Sequence, residues 1–203
     1  MLHIKIQNEC HATFKRIEVL GKNIVEFIEF IDRTEVEIIR MIEKAGYKTA
    51  ENTKLCLLGE NYVGFFNRVK KEIIICTNNA KKREGYTHLR KKNKDVFERT
   101  ALHIKKALRH EAVHVAQECN NGKLLKIERK LSMNTSKINA FNGSIRISRE
   151  EEKERQAYIL EYKPRLINNK IFRKEAIFST GVFHLKHKIN SRENFSKNDK
   201  LLS

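Results

Sequence analysis

The chain has 203 residues, 40% hydrophobic and 33% charged, and its 42 Lys and Arg against 25 Asp and Glu give a formal net charge of +17. That length suits one core and excludes two full domains, and the apolar share excludes generic disorder. The positive field would draw in nucleic acid, an anionic membrane or an acidic protein, but Ile and Asn are also abundant, as AT-rich codons dictate, so composition names no partner.

Met1 to Cys10 lacks the apolar stretch of a signal peptide, and no run of 18 apolar residues occurs anywhere. The expectation is a cytoplasmic chain with no membrane span. Cys10, Cys56, Cys76 and Cys119 form no CxxC pair, so they read as buried free thiols, with one or two disulfides only if the chain is exported.

Between Asn23 and Lys44, Ile24, Phe27, Ile28, Ile31, Ile38, Ile39 and Ile42 recur near helical spacing, which predicts one amphipathic helix ended by Gly46. YVGFF and EIIICT, between Asn61 and Asn78, are β-rich runs split by polar NRVKK, the pattern of an antiparallel hairpin. Ala80 to Lys94 carries seven Lys and Arg around Glu84 and reads as a basic loop, solvated or, through Tyr86 and His88, able to stack on nucleic acid.

From Asp95, placed as a cap, Phe97, Ala101, Ile104, Leu108, Ala112, Val115 and Cys119 mark a long helix that Asn120, Asn121 and Gly122 stop. Ser148 with Glu151 three residues on predicts a capping box opening another helix, which runs through Tyr158 toward Pro164. A further apolar stretch covers 171–185. Residues 1–189 are read as one domain and 190–203 as a polar, flexible tail.

His110-Glu111-Ala112-Val113-His114 fits HExxH inside the long helix, and a spacing of four residues puts both imidazoles on one face, a turn apart. Such a pair can chelate one zinc ion, with Glu111 leaning toward the open position as general base for a zinc-activated water. A metzincin continuation needs Gly and His where Gln117 and Asn120 stand, so that form is excluded. The third ligand must come from the acids of the helix after Ser148, or from His184 or His187. His103 lies roughly 10 Å from His110 along the helix, too far for the same ion.

His110-Glu111-Ala112-Val113-His114-Val115-Ala116-Gln117 followed by Glu154-Arg155-Gln156-Ala157-Tyr158 resembles the small gluzincin-type zinc metallopeptidases, in which HExxHxxQ is joined by a glutamate on a later helix. The resemblance spans roughly Tyr62 to Tyr162. It implies an α+β, zincin-like fold: a small antiparallel sheet or hairpin packed on an active-site helix and a glutamate-bearing helix. It also implies one Zn2+ per chain held by His110, His114 and Glu154, Glu111 as base, and a peptide or protein substrate. Gln156 stands where the related pattern often has a second Glu.

Glu150 and Glu154 share a helix face with Tyr158 and Glu161, which makes Glu150 the fallback ligand. Tyr158 is either the oxyanion donor or a packed ring. Glu72 to Thr77 is either the edge strand that aligns substrate or a core strand. Two other functions compete with peptide hydrolysis. One is a basic nucleic-acid-binding protein acting through Lys81 to Lys94; the other is a SprT-like, DNA-associated protease with His184 or His187 as third ligand.

Overall fold

The computed structural model describes residues 26–87, 93–126, 135–164 and 167. The apolar stretch over 171–185, His184 and His187, the tail over 190–203, and residues 1–25 and 88–92 lie outside them.

The described chain is α+β. It opens with a 3-10 turn, Glu26–Phe30, and then helix α1, Arg33–Lys44. The single helix expected over 23–44 is therefore broken at Asp32. The reason is a local capping box: the Asp32 carboxylate accepts from Thr34 N at 2.9 Å, while the Glu35 side chain reaches back to Asp32 N. The apolar periodicity survives the break, with Phe27, Phe30, Ile38 and Ile42 fully buried. Gly46, at φ +82°, ends the segment as expected.

Strands β1 (Lys48–Glu51), β2 (Gly64–Asn67) and β3 (Glu72–Ile75) form a sheet in the order β1-β3-β2. The expected hairpin is present, with β2 antiparallel to β3 in the register Gly64↔Ile75 to Asn67↔Glu72. β1 was not expected. Its sequence, KTAE, carries little β signal, and it is held by parallel pairing to β3. That pairing makes β3 the central strand, which removes Glu72 to Thr77 as an edge and leaves β2 at one border. A continuously apolar strand is what a central position requires, and Ile73, Ile74 and Ile75 are all fully buried.

Cys56 and Cys76 are joined in a disulfide, contrary to the expected free thiols, while Cys119 is half-buried and forms none. The bond sits with Phe65 and Ile74 under the sheet face turned away from the main core. Asn79 reinforces the same loop by donating to the carbonyls of Cys56, Gly59 and Tyr62.

The stretch read as a basic loop begins as helix α2, Thr77–Glu84, closed by Gly85 in the left-handed conformation. Lys81 is a buried ion-pair partner of Glu26, and Tyr86 is a core ring against Phe30 and Phe97. Neither is presented to a nucleic acid.

Helix α3, Lys94–Cys119, is capped by Asn93, whose side chain accepts from Asp95 N and Val96 N. The cap is thus two residues earlier than Asp95, and the helix ends at Asn120 as expected. A further helix, α4 (Thr135–Ser148), ends where the sequence marks a start. Ser148 accepts from Glu150 N across a bend that has Arg149 at φ +58°, and α5, Glu151–Leu160, begins beyond it. One core joins these elements, from Phe27 through Ile104 and Leu108 to Leu160 and Ile167. No helix among the described residues is long and apolar enough to cross a membrane.

Candidate metal centre

Helix α3 runs through the middle of the fold, with α5 and β2 packed against its C-terminal half. Every residue from His110 to Gln117 is buried. The apolar members, Ala112, Val113, Val115 and Ala116, fill the core. The polar members, His110, Glu111, His114 and Gln117, turn toward α5 and β2, where each must find a partner because burial without one costs roughly 2–7 kcal/mol.

Glu154, in the first turn of α5, meets both imidazoles. His110 Nε2 lies 3.1 Å from Glu154 Oε2, His114 Nε2 lies 3.5 Å from Glu154 Oε1, and the two Nε2 atoms are 3.3 Å apart. These three side chains are all buried and could hold a metal ion between them. Glu150 is elsewhere: it stands at the N-terminal boundary of α5, where its carboxylate pairs with Lys153 and Arg68. His103 pairs with Glu84 on α2 at 2.9 Å.

Each imidazole is also held from behind. His110 Nδ1 is 3.2 Å from Glu161 Oε2, and His114 Nδ1 is 2.9 Å from Gln117 Oε1. Fixing the outer ring nitrogen in this way leaves Nε2 to face an ion, as metal-binding histidines require. Glu161 was legible as a neighbour of Glu154 on the helix face, but no spacing rule assigned it to His110. The neighbouring Arg109 ties α3 to α1 through the fully buried Glu35 and reaches the Glu161 carbonyl.

Three buried carboxylates, Glu111, Glu154 and Glu161, thus surround two imidazoles. Burial alone would drive the His110 imidazolium off, but its bonds to Glu154 and Glu161 and the nearby charge of Glu111 win and hold it well above its ordinary value. Burial pushes Glu154 up, and its bonds to His110 and His114 outweigh that and pull it far below the usual carboxylate range. Glu111 has no such bonds; burial raises it, with the two imidazoles opposing. A divalent cation fits this donor set, since it supplies the positive charge that the carboxylates call for.

Glu111 points to β2. A Cβ added to Gly64 would lie 2.6 Å from Glu111 Oε1 and 3.2 Å from Ala107 Cβ, so only glycine lets the strand pass this close to the carboxylate. Two residues on, the Phe66 ring stacks on His114 with centroids 5.8 Å apart. Nothing in the sequence singled out Gly64. Tyr158 packs edge-on against His110, centroids 4.6 Å apart, while its hydroxyl bonds Ser144 of α4 at 3.0 Å. Burial raises its phenol further above the ordinary value.

Residues 27–174 match the model of a family described as a domain of unknown function, DUF8637, and the chain belongs to that family. No curated protein and no solved structure matches it.

Proposed function

We propose that this DUF8637 protein is a zinc-dependent metallopeptidase with a zincin-like site, in which His110, His114 and Glu154 hold the metal and Glu111 is the general base. The observation that carries the reading is the convergence of these three side chains, with His110 Nε2 3.1 Å from Glu154 Oε2, His114 Nε2 3.5 Å from Glu154 Oε1 and the two Nε2 atoms 3.3 Å apart. Ligand atoms around a tetrahedral zinc with bonds of about 2.0–2.1 Å lie about 3.3 Å apart, a spacing these contacts approach, so the two imidazoles and a Glu154 oxygen would hold the ion. A bound zinc would supply Lewis acidity, making water a nucleophile near neutral pH and polarising a carbonyl.

The rest is the work of this chain's own side chains. Glu111 takes a proton at its carboxylate and returns it to the leaving amine; its raised affinity for protons suits both steps. Tyr158 holds the His110 ring edge, and Glu161 and Gln117 hold the outer nitrogens. The border of β2 that no other described strand pairs with can align substrate. Cys76 N donates to Val63 O at 2.8 Å, so the antiparallel alternation sends the backbone groups of Val63 and Phe65 toward β3 and those of Gly64 and Phe66 outward. An extended peptide pairing there would lie beside Glu111.

The test is digestion of a peptide library and of unfolded proteins by the zinc-loaded chain, with Glu111→Gln as control. Cleavage products from the parent that fall by about 10²–10⁴-fold in the control support the reading. Equal product from both, or none from zinc-loaded parent, contradicts it.

A further inference from the structure

Behind His114 a chain of neutral amides runs to the backbone of Leu125. Leu125 N donates to Gln156 Oε1 at 2.9 Å, and Gln156 Nε2 donates to Leu125 O at 2.8 Å. A peptide N–H and C=O cannot exchange roles, so this two-point contact admits one orientation of the Gln156 amide. Gln156 Oε1 then accepts from Gln117 Nε2 at 3.0 Å, and the same Nε2 donates to Lys153 O at 3.1 Å. Both contacts are acceptors, so the Gln117 amide is oriented too, and its Oε1 faces His114 Nδ1. An oxygen there accepts. Nδ1 must therefore carry the hydrogen of the neutral ring, which leaves the Nε2 lone pair available to an ion.

From this geometry we propose that Gln156 is a positioning residue for the metal centre: through Gln117 it transmits the polarity of the Leu125 peptide and sets which nitrogen of His114 faces the ion. The proposal rests on the metal-site reading above. Gln117 is 1% exposed and Gln156 9%, so water does not substitute for either amide. The direction of the relay also explains an amide rather than a carboxylate at 156. A glutamate would set an acceptor against the Leu125 carbonyl and add a fourth negative group beside Glu111, Glu154 and Glu161.

The test is zinc affinity by chelator competition in the full chain, with the His114 tautomer read by nitrogen-15 NMR in the metal-free protein. Gln156→Met and Gln156→Glu are compared with parent and with Gln117→Leu, each checked for native circular dichroism; Gln156→Glu keeps acceptors for Leu125 N and Gln117. Removing such outer partners typically costs about 10–100-fold in metal affinity; that loss, with the Nδ1–H form no longer dominant, is expected for Gln156→Met, while Gln156→Glu, which still accepts from Gln117, should keep the Nδ1–H form dominant. In a Gln117→Leu background, where the relay is already cut, Gln156→Met should change affinity by less than about twofold.

A purely structural Gln156 would make Gln156→Met lower affinity by the same factor in both backgrounds, and that result overturns the relay, as does unchanged affinity and tautomer in Gln156→Met. Parent protein that takes up no zinc overturns the metal reading and the relay with it. Zinc-binding parent with an indifferent Gln156→Met variant overturns the relay alone.

Discussion

From Lys94 to Arg109, helix α3 buries Val96, Thr100, Ala101, Ile104 and Leu108 and leaves Lys94, Glu98, Arg99 and Leu102 exposed; from His110 to Gln117 it buries all eight residues. The first half is an ordinary amphipathic helix, and its apolar stripe is set by contact with the core. In the second half α5 and β2 close over the polar side as well, so buried polar groups must be paired with one another. The same backbone thus carries two kinds of constraint: apolar volume in the first half, hydrogen-bond direction and charge in the second. Substitutions in the two halves should therefore fail in different ways.

The largest effect expected without loss of metal is at Gly64. Gly64→Ala sets a methyl 2.6 Å from the present position of Glu111 Oε1, so the carboxylate must move. Displacing a catalytic group by about 1 Å can cost about 10²-fold in rate. Turnover of a cleaved peptide should fall by that order while zinc content, measured on the same sample, stays at the parental level.

In the first half the failure is one of stability. Leu108 is fully buried in the main core, and Leu108→Ala should cost about 2–5 kcal/mol in urea unfolding of the zinc-loaded chain. Zinc stoichiometry of the fraction that remains folded should not change. A Leu108→Ala protein that is stable but metal-free would erase the distinction between the halves.

A smaller effect is the pH dependence of the metal-free chain. His110 is raised above its ordinary 6.5, so its contribution is fully present below 6.5 and is lost as pH rises through its folded value. Glu154 is lowered from its ordinary 4.5, so its contribution is present above 4.5 and is lost as pH falls through its folded value. Metal-free protein should be most resistant to urea between about 4.5 and 6.5 and weaken on both sides. Zinc must displace the His110 proton, so calorimetry in buffers of different ionisation enthalpy should show proton release on binding, with affinity rising as pH rises.

How much of this was legible depended on whether a signal was local. His110, Glu111 and His114 lie within one helical turn and a half, so their spacing fixes their common face. Glu154 came from the resemblance, and the structure brings it to both imidazoles across 40 residues of chain. The HExxH helix is legible from its apolar periodicity and the hairpin from two β-rich runs split by polar residues. α4 was missed because TSKINAFNGSIRIS shows little amphipathic pattern, and Ser148 resembles a start signal while serving the bend between two helices. β1 exists through pairing with β3, a contact no window on KTAE contains. Glu161 and Gly64 matter through what lies opposite them, which spacing along one element does not reveal.

Zinc content per chain tests the central claim most directly, measured by elemental analysis after mild chelator washing of the parent, His110→Ala and Glu154→Ala. The account predicts about one zinc in the parent and close to none in either variant, because three protein ligands are needed to hold the ion. A parent without zinc after supplementation, or a Glu154→Ala chain that keeps a full complement, would contradict it.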